Sequence, residues 1–200
     1  NDTPWGFVVS GASDLETMED LKQDGIRVAV GAFSPPMISA ARDALPAYLG
    51  LSREEAEDLL TFVPASSYVE NCRSVVEGKA DVAYCATVRS VLAEMEGAPG
   101  GIRWLDMDQS NTEAWDAYLE HRPMTVPVTI NMGVSTAQGV GGLTSNFLYS
   151  VPADADADFA YDMAKWFHKA YDEYKGSHAL SARMSLEAFR DYLDSSPLPV

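Results

Sequence analysis

Cysteine, positive charge and long apolar runs are all scarce in this 200-residue chain. Its two cysteines, Cys72 and Cys85, are too few for a disulfide scaffold and the wrong set for a four-ligand zinc site. They are expected as two separately buried thiols, one on a helix and one on the next strand, with a single disulfide as the alternative in an exported protein. Fourteen basic residues against thirty acidic ones leave a formal charge of −16. That balance excludes nucleic acid, whose phosphates demand a basic footprint, and docking on anionic lipid. An anionic small molecule stays compatible, because a local site can be positive inside a negative field. No apolar run is long enough to span a bilayer, so no direct membrane insertion is expected. No basic, apolar leader opens the chain, and a cleaved leader would leave no trace.

Catalytic and cofactor motifs are scarce too. His121, His168 and His178 form no HxxxH or HExxH pair. No GxSxG elbow is present, and both cysteines sit in apolar segments. Asp154, Asp156 and Asp158 copy the start of a calcium loop, but its sixth and twelfth positions hold Phe159 and Lys165 instead of glycine and glutamate. Those acids suit a helix N-terminus instead. The glycines at 139, 141 and 142 lack the lysine and hydroxyl of a phosphate loop. No cofactor, metal or enzymatic activity is expected.

What is present is an alternation of elements. "WGFVVS" (5–10) reads as a strand, and "DLETMEDLKQDG" as a short helix or turn closed by Gly25. "RVAVGAFSPPMISAARDAL" (27–45) passes from a strand covered on both faces into a helix that Ser34 can cap. Pro35 and Pro36 suit its first turn, and Met37, Ala40, Ala41, Ala44 and Leu45 make its buried stripe. Ser52 with Glu55, and Ser67 with Glu70, are capping boxes for the next two helices. Val69, Cys72, Val75 and Val76 face inward on the second, which Gly78 ends. A strand at 81–86, a helix at 88–95, a strand at 102–107 and a helix capped by Ser110 with Glu113 follow. The series predicts a three-layer α/β lobe with a mostly parallel sheet, strands near 27–30, 60–63, 81–86 and 102–107, and helices on both faces.

After His121 the helical period gives way to two extended segments, about 126–135 and 143–149, joined by a turn. Phe159, Met163, Trp166, Phe167, Ala170 and Tyr174 then recur at helical spacing, so Trp166 and Phe167 are expected in a core. "SLEAFRDYLDSS" reads as a short helix, and "PLPV" as a bare extended end.

Ligands in such sheets sit beyond the carboxyl ends of the strands. Ser34 follows one strand, Ser66, Ser67 and Tyr68 the next, and Thr87 and Arg89 a third. Together they offer hydroxyls and one guanidinium for a carboxylate, with Trp5 or Tyr84 as an apolar wall. Singly, each of these residues also reads as a cap or a solvated side chain, and Arg89 as an ion-pair partner of Glu94.

The order of segments resembles the solute-binding subunit of TAXI-type tripartite ATP-independent periplasmic (TRAP) transporters, within the type II periplasmic binding protein superfamily. Three stretches carry the likeness: "FVVSGASDLETMEDLKQDGIRVAVGA", "SSYVENCRSVVEGKADVAYCAT" and "NFLYSVPADADADFAYDMAKWFHKAYDEY". It runs from about Phe7 to Pro199. Where that family has "GSGT" this chain reads "FSPP", Phe33 to Pro36, whose prolines remove two backbone donors. Where it has a glycine-proline loop after Gly78 and the strand, this chain reads "TVRS", Thr87 to Ser90. The family carries a first lobe ahead of the matched segment. The resemblance therefore implies one nearly complete lobe, 10–120, with 121–200 crossing back toward the other. It further implies a periplasmic or extracytoplasmic protein passing an amino acid or other small organic anion to TRAP integral-membrane subunits. A ligand-sensing regulatory domain of the same fold, and a small α/β hydrolase or transferase, are the alternatives.

Overall fold

The structure, a computed structural model, describes residues 2–146, 151–178 and 181–195. Contacts group the chain into two compact units, Pro4–Thr144 and a second made of Asn1–Thr3 with Ser145–Val200.

The first unit is organised by strands that are apolar on both faces. In β2 (Ile26–Gly31) only Arg27 departs from full burial. It pairs in parallel with β3 (Leu60–Ala65), from Ile26 opposite Leu60 to Gly31 opposite Ala65, and with β4 (Val82–Ala86), Val28 opposite Val82. β1 (Asp2–Ser10) runs antiparallel to β4, placing Trp5 opposite Ala86, and antiparallel to β5 (Ile102–Leu105). The sheet order is β3-β2-β4-β1-β7-β6, with β6 at Thr125–Thr129, β7 at Gly141–Asn146, and β5 also on β1. The predicted three-layer α/β lobe is therefore present, with one change. β5 points the same way as β4 but is separated from it by β1. Phe7, Val8 and Val9 are fully buried, and a strand apolar on both faces belongs inside a sheet.

Helices cover the two faces. Phe7, Val9, Val28, Val30, Tyr84 and Leu105 share one core, and Val8, Ala29, Ala83, Cys85, Leu92 and Trp104 the other. α1 (Pro35–Ser39) continues through one wider turn at Ala40–Ala44 into α2 (Leu45–Tyr48), and the predicted stripe from Met37 to Leu45 is buried. α3 (Arg53–Leu59) opens on a complete capping box: the Ser52 hydroxyl accepts from Glu55 N at 3.2 Å, and Ser52 N donates to the Glu55 carboxylate at 2.8 Å. At α4 (Tyr68–Arg73) only half of the expected box forms. Ser67 accepts from Glu70 N, while the Glu70 carboxylate turns to the amide and hydroxyl of Ser66, at 2.7 and 2.6 Å. Val69, expected inward, is 43 % exposed, because the buried face of α4 is centred on Asn71 and Cys72, and Asn71 lies on the far side of the helix from Val69. α5 is Ser90–Glu96. α6 (Thr112–His121) is capped by Asn111 rather than Ser110, whose hydroxyl is held by Asp108.

Cys72 and Cys85 are not separate thiols. They form a disulfide, with Cα atoms 6.0 Å apart and both side chains fully buried. Helical and strand periods place each cysteine on an inward face, but only the packing of α4 on β4 brings the two faces together. A 13-residue separation closes a short loop, for which about 3 kcal/mol of stabilisation is typical. Cys72→Ser is expected to lower unfolding free energy by about 2–4 kcal/mol in urea titrations, with reductant producing a comparable loss in the wild type.

Where β4 begins, Asp81 joins it to β2. Its carboxylate accepts from Arg27 N at 2.8 Å, Nε at 3.0 Å and Nη2 at 2.6 Å, while Arg27 Nη1 reaches the Gly78 carbonyl. Burial alone raises the Asp81 pKa, but the hydrogen bonds and charge of Arg27 outweigh it, and the carboxyl lies below its ordinary value. A depressed carboxyl stabilises the fold above its unfolded pKa and loses that contribution as pH falls through the folded value. Asp81→Asn is expected to cost about 2 kcal/mol at neutral pH. The loss should shrink as pH falls below about 4, the unfolded aspartate value, which denaturant midpoints across that range would register.

In the second unit, α7 (Ala157–Lys169) starts as the acid run suggests: Asp156 accepts from Phe159 N at 3.0 Å. α8 is Tyr171–Tyr174 and α9 is Leu186–Ser195. The expected heavy burial of α7 is not found. Phe159 is 60 % and Trp166 58 % exposed, Met163, Phe167 and Tyr174 are half-buried, and Ala170 alone is buried. A 3.6-residue period records an apolar face but supplies no partner for it. Within this unit, contacts cover one end of the stripe: Tyr174 Oη donates to the Phe167 carbonyl, and the His168 and Phe189 rings lie 5.6 Å apart. The extended segments expected at 126–135 and 143–149 are the shorter β6 and β7, with a helical turn at Ser135–Ala137 between them. Residues 147–149, and the "PLPV" end, lie outside the described residues.

Candidate functional site

The carboxyl end of β4 and the amino end of the antiparallel β1 meet where Trp5 stands opposite Ala86. Three aromatic rings gather there. Trp5 stacks on Tyr84, with centroids 4.9 Å apart and planes 16° apart, and meets Tyr68 edge-on at 6.1 Å. Tyr68 is fixed by its hydroxyl, which donates to the Ala86 carbonyl at 3.1 Å and accepts from Ala86 N at 2.9 Å. Burial holds that hydroxyl well above the ordinary tyrosine pKa, against the opposing pull of the Ala86 hydrogen bond and of Arg89. It therefore stays a neutral donor and acceptor. The Arg89 guanidinium lies 5.5 Å over the Tyr68 ring, a cation–π distance. The alternative partner of Arg89, Glu94, is taken by Arg73.

Trp5, Tyr68, Tyr84 and Arg89 are thus brought together at one strand edge. The remaining expected residues are engaged differently. Thr87 is fully buried, and its hydroxyl donates to the Met132 carbonyl at 2.9 Å. Gly133 follows at φ +102°, so close that a Cβ would sit 2.4 Å from Thr87 O; this approach requires glycine. The Ser66 and Ser67 hydroxyls are occupied by Glu70 and the start of α4. Ser34 sits half-buried ahead of α1, and its side chain makes no capping bond.

Arg122 was invisible to the sequence reading. Following α6, it presents as an ordinary helix-end arginine. In the fold its guanidinium lies 5.9 Å over the Tyr84 ring, and Nη1 donates to the Pro36 carbonyl in the first turn of α1. The carboxyl edge therefore carries a continuous row: Arg89, Tyr68, Trp5, Tyr84, Arg122. Among the described residues, no group of three His, Cys, Asp or Glu side chains is placed to hold a metal ion.

The NMT1-like family profile matches residues 1–200, the full length of the sequence. The chain belongs to that family. No curated protein matches it. Solved structures similar to this NMT1-like chain include one from Streptococcus mutans, from work on glutathione import via GshT and the cystine importer TcyBC. It is 14 % identical with a TM-score of 0.43, and the match covers 100 % of this chain and 62 % of that one. A probable amino-acid ABC transporter extracellular-binding protein, YtmK of Bacillus subtilis, is 15 % identical with a TM-score of 0.40, covering 96 % and 61 %. A TctC solute-binding protein from Polaromonas is 15 % identical with a TM-score of 0.39, covering 98 % and 57 %. The NMT1-like chain spans about three fifths of the length of these structures. Its fold is an α/β lobe built on one mixed sheet.

Tyr68→Phe leaves the Ala86 amide and carbonyl without their side-chain partner. A loss of about 1–3 kcal/mol is expected from denaturant unfolding, with faster amide exchange at Ala86.

Proposed function

We propose that this NMT1-like lobe is part of an extracytoplasmic solute-binding protein that delivers a small organic anion, an amino acid or another carboxylate, to a membrane transporter. The observation that carries the reading is the aromatic and cationic row at the carboxyl ends of the parallel strands. Rings able to cover an apolar body lie beside guanidinium groups able to hold a carboxylate. The proposed contact residues are Trp5, Ser34, Tyr68 and Arg89; Ser66 and Ser67, whose hydroxyls Glu70 and the start of α4 engage, and the buried Tyr84 and Thr87 serve as their support. Residues 10–120 form the binding lobe in this proposal, and 121–200 return toward a second one.

The buried Cys72–Cys85 disulfide supports an oxidising compartment such as the periplasm. No described helix is long and apolar enough to cross a membrane. The finer form of the proposal is a TAXI-type subunit serving TRAP integral-membrane proteins, supported by the three resembling stretches.

Native mass spectrometry of the full-length exported protein tests the reading. A small organic anion should leave with the folded protein, be released on denaturation, and remain chemically unchanged after incubation. A protein that carries none, and binds none from an organic-anion library, overturns it.

A further inference from the structure

In a chain this acidic, most cations find carboxylates. Within the Pro4–Thr144 unit, Lys22, Arg27, Arg53, Arg73, Lys79 and Arg103 each lie within ion-pair distance of one. Arg42, Arg89 and Arg122 have no carboxylate partner among the described residues, and each lies over an aromatic ring instead. Arg42 and Arg89 are exposed, so water solvates their charge. Arg122 is half-buried. The one side-chain hydrogen bond it makes to a described residue uses a single guanidinium N–H of five, donated to the neutral Pro36 carbonyl.

A guanidinium without a counter-charge, on a half-buried residue, is only partly satisfied by a cation–π contact and one carbonyl. It is also oriented in advance. The Pro36 carbonyl fixes one arm of the fork, and the Tyr84 ring fixes its plane. A planar, pre-set fork with free N–H groups matches a carboxylate bidentately.

We infer that Arg122, just beyond residue 120 in sequence but within the same Pro4–Thr144 unit, is the principal anion-holding residue at this strand edge and that its missing counter-charge is the carboxylate of the bound solute. The inference rests on the solute-binding reading and names the residue that sets its preference for an anion. Arg89, exposed at the other end of the row, contributes less. Of the rings between them, the partly exposed Trp5 and Tyr68 offer cover to an apolar body attached to the carboxylate, with the buried Tyr84 as backing.

The test uses thermal shift and calorimetry on the full chain, with acetate, succinate and benzoate as probes, each against its neutral amide. At least one carboxylate should raise the melting temperature of the wild type while its amide does not. Arg122→Gln should weaken that carboxylate at least about tenfold, the scale of one charged hydrogen-bonded contact. Arg42→Gln removes the same charge elsewhere and should leave the affinity unchanged. If Arg122→Gln does not fold, Arg122→Lys decides, since it keeps the charge but loses the fork, and should bind several-fold more weakly. Undiminished affinity in the Arg122 variants, an equal loss in Arg42→Gln, or amides binding as well as acids overturns the role of Arg122 while leaving solute binding intact. A wild type that responds to none of the carboxylates, and releases no anion in the mass spectrum, removes the solute-binding reading itself.

Discussion

Residues Val82 to Ala86 must be covered on both faces and paired along both edges, and much of the lobe is arranged around that requirement. β2 takes one edge in parallel and β1 the other in antiparallel. Val82 and Tyr84 enter one core, Ala83 and Cys85 the other. The polar groups of the segment are met by side chains as well as by neighbouring strands. Asn71 Nδ2 donates to the Tyr84 carbonyl at 3.1 Å, Tyr68 brackets Ala86, and Arg27 holds Asp81 just before the strand starts. The disulfide adds a covalent tie between β4 and α4, the helix that begins with Tyr68. A segment fixed at so many points is a rigid support, and the candidate site stands at its carboxyl end, where little rearrangement is needed to present the rings.

Much of this was legible because local chemistry and tertiary packing agree. The Ser52–Glu55 box, the stripe from Met37 to Leu45 and the doubly apolar strands each carry their own signal, and each appears where the pattern puts it. The alternation of strand and helix predicts direction and layer. It does not predict that β1, the first strand in the chain, inserts between β4 and β5, since nothing local marks a strand for one neighbour over another. The disulfide was hidden for the same reason: each cysteine declares a buried face, and only the crossing of α4 over β4 joins them.

The misreadings on the helices have a different origin. The apolar face of α7 is real, but amphipathicity states a demand for burial and does not say that the described chain meets it. Arg122 fails in the opposite direction. A basic residue after a helix satisfies the helix dipole, so its local surroundings explain it fully. Only the placement of Pro36 and Tyr84 around its guanidinium, from two distant parts of the sequence, shows that the helix end is not its whole environment.

The acid excess and an anion site are compatible because the two act over different ranges. At physiological ionic strength the Debye length is about 8 Å, so most exposed carboxylates are screened from a solute seated at the strand edge. Two opposite charges at about 4 Å, with an effective dielectric near 20, attract by about 4 kcal/mol, which exceeds any one screened acid at several times that distance. The decisive quantity is therefore the local balance, not the formal charge of −16. Locally, Glu94 is bound to Arg73 and Glu70 to Ser66, so the acids nearest in sequence to Arg89 and Tyr68 are engaged elsewhere. The carboxylates of the lobe claim the cations that stabilise its fold, and those left without one at the strand edge, Arg89 and Arg122, are the pair whose charge remains available to a ligand.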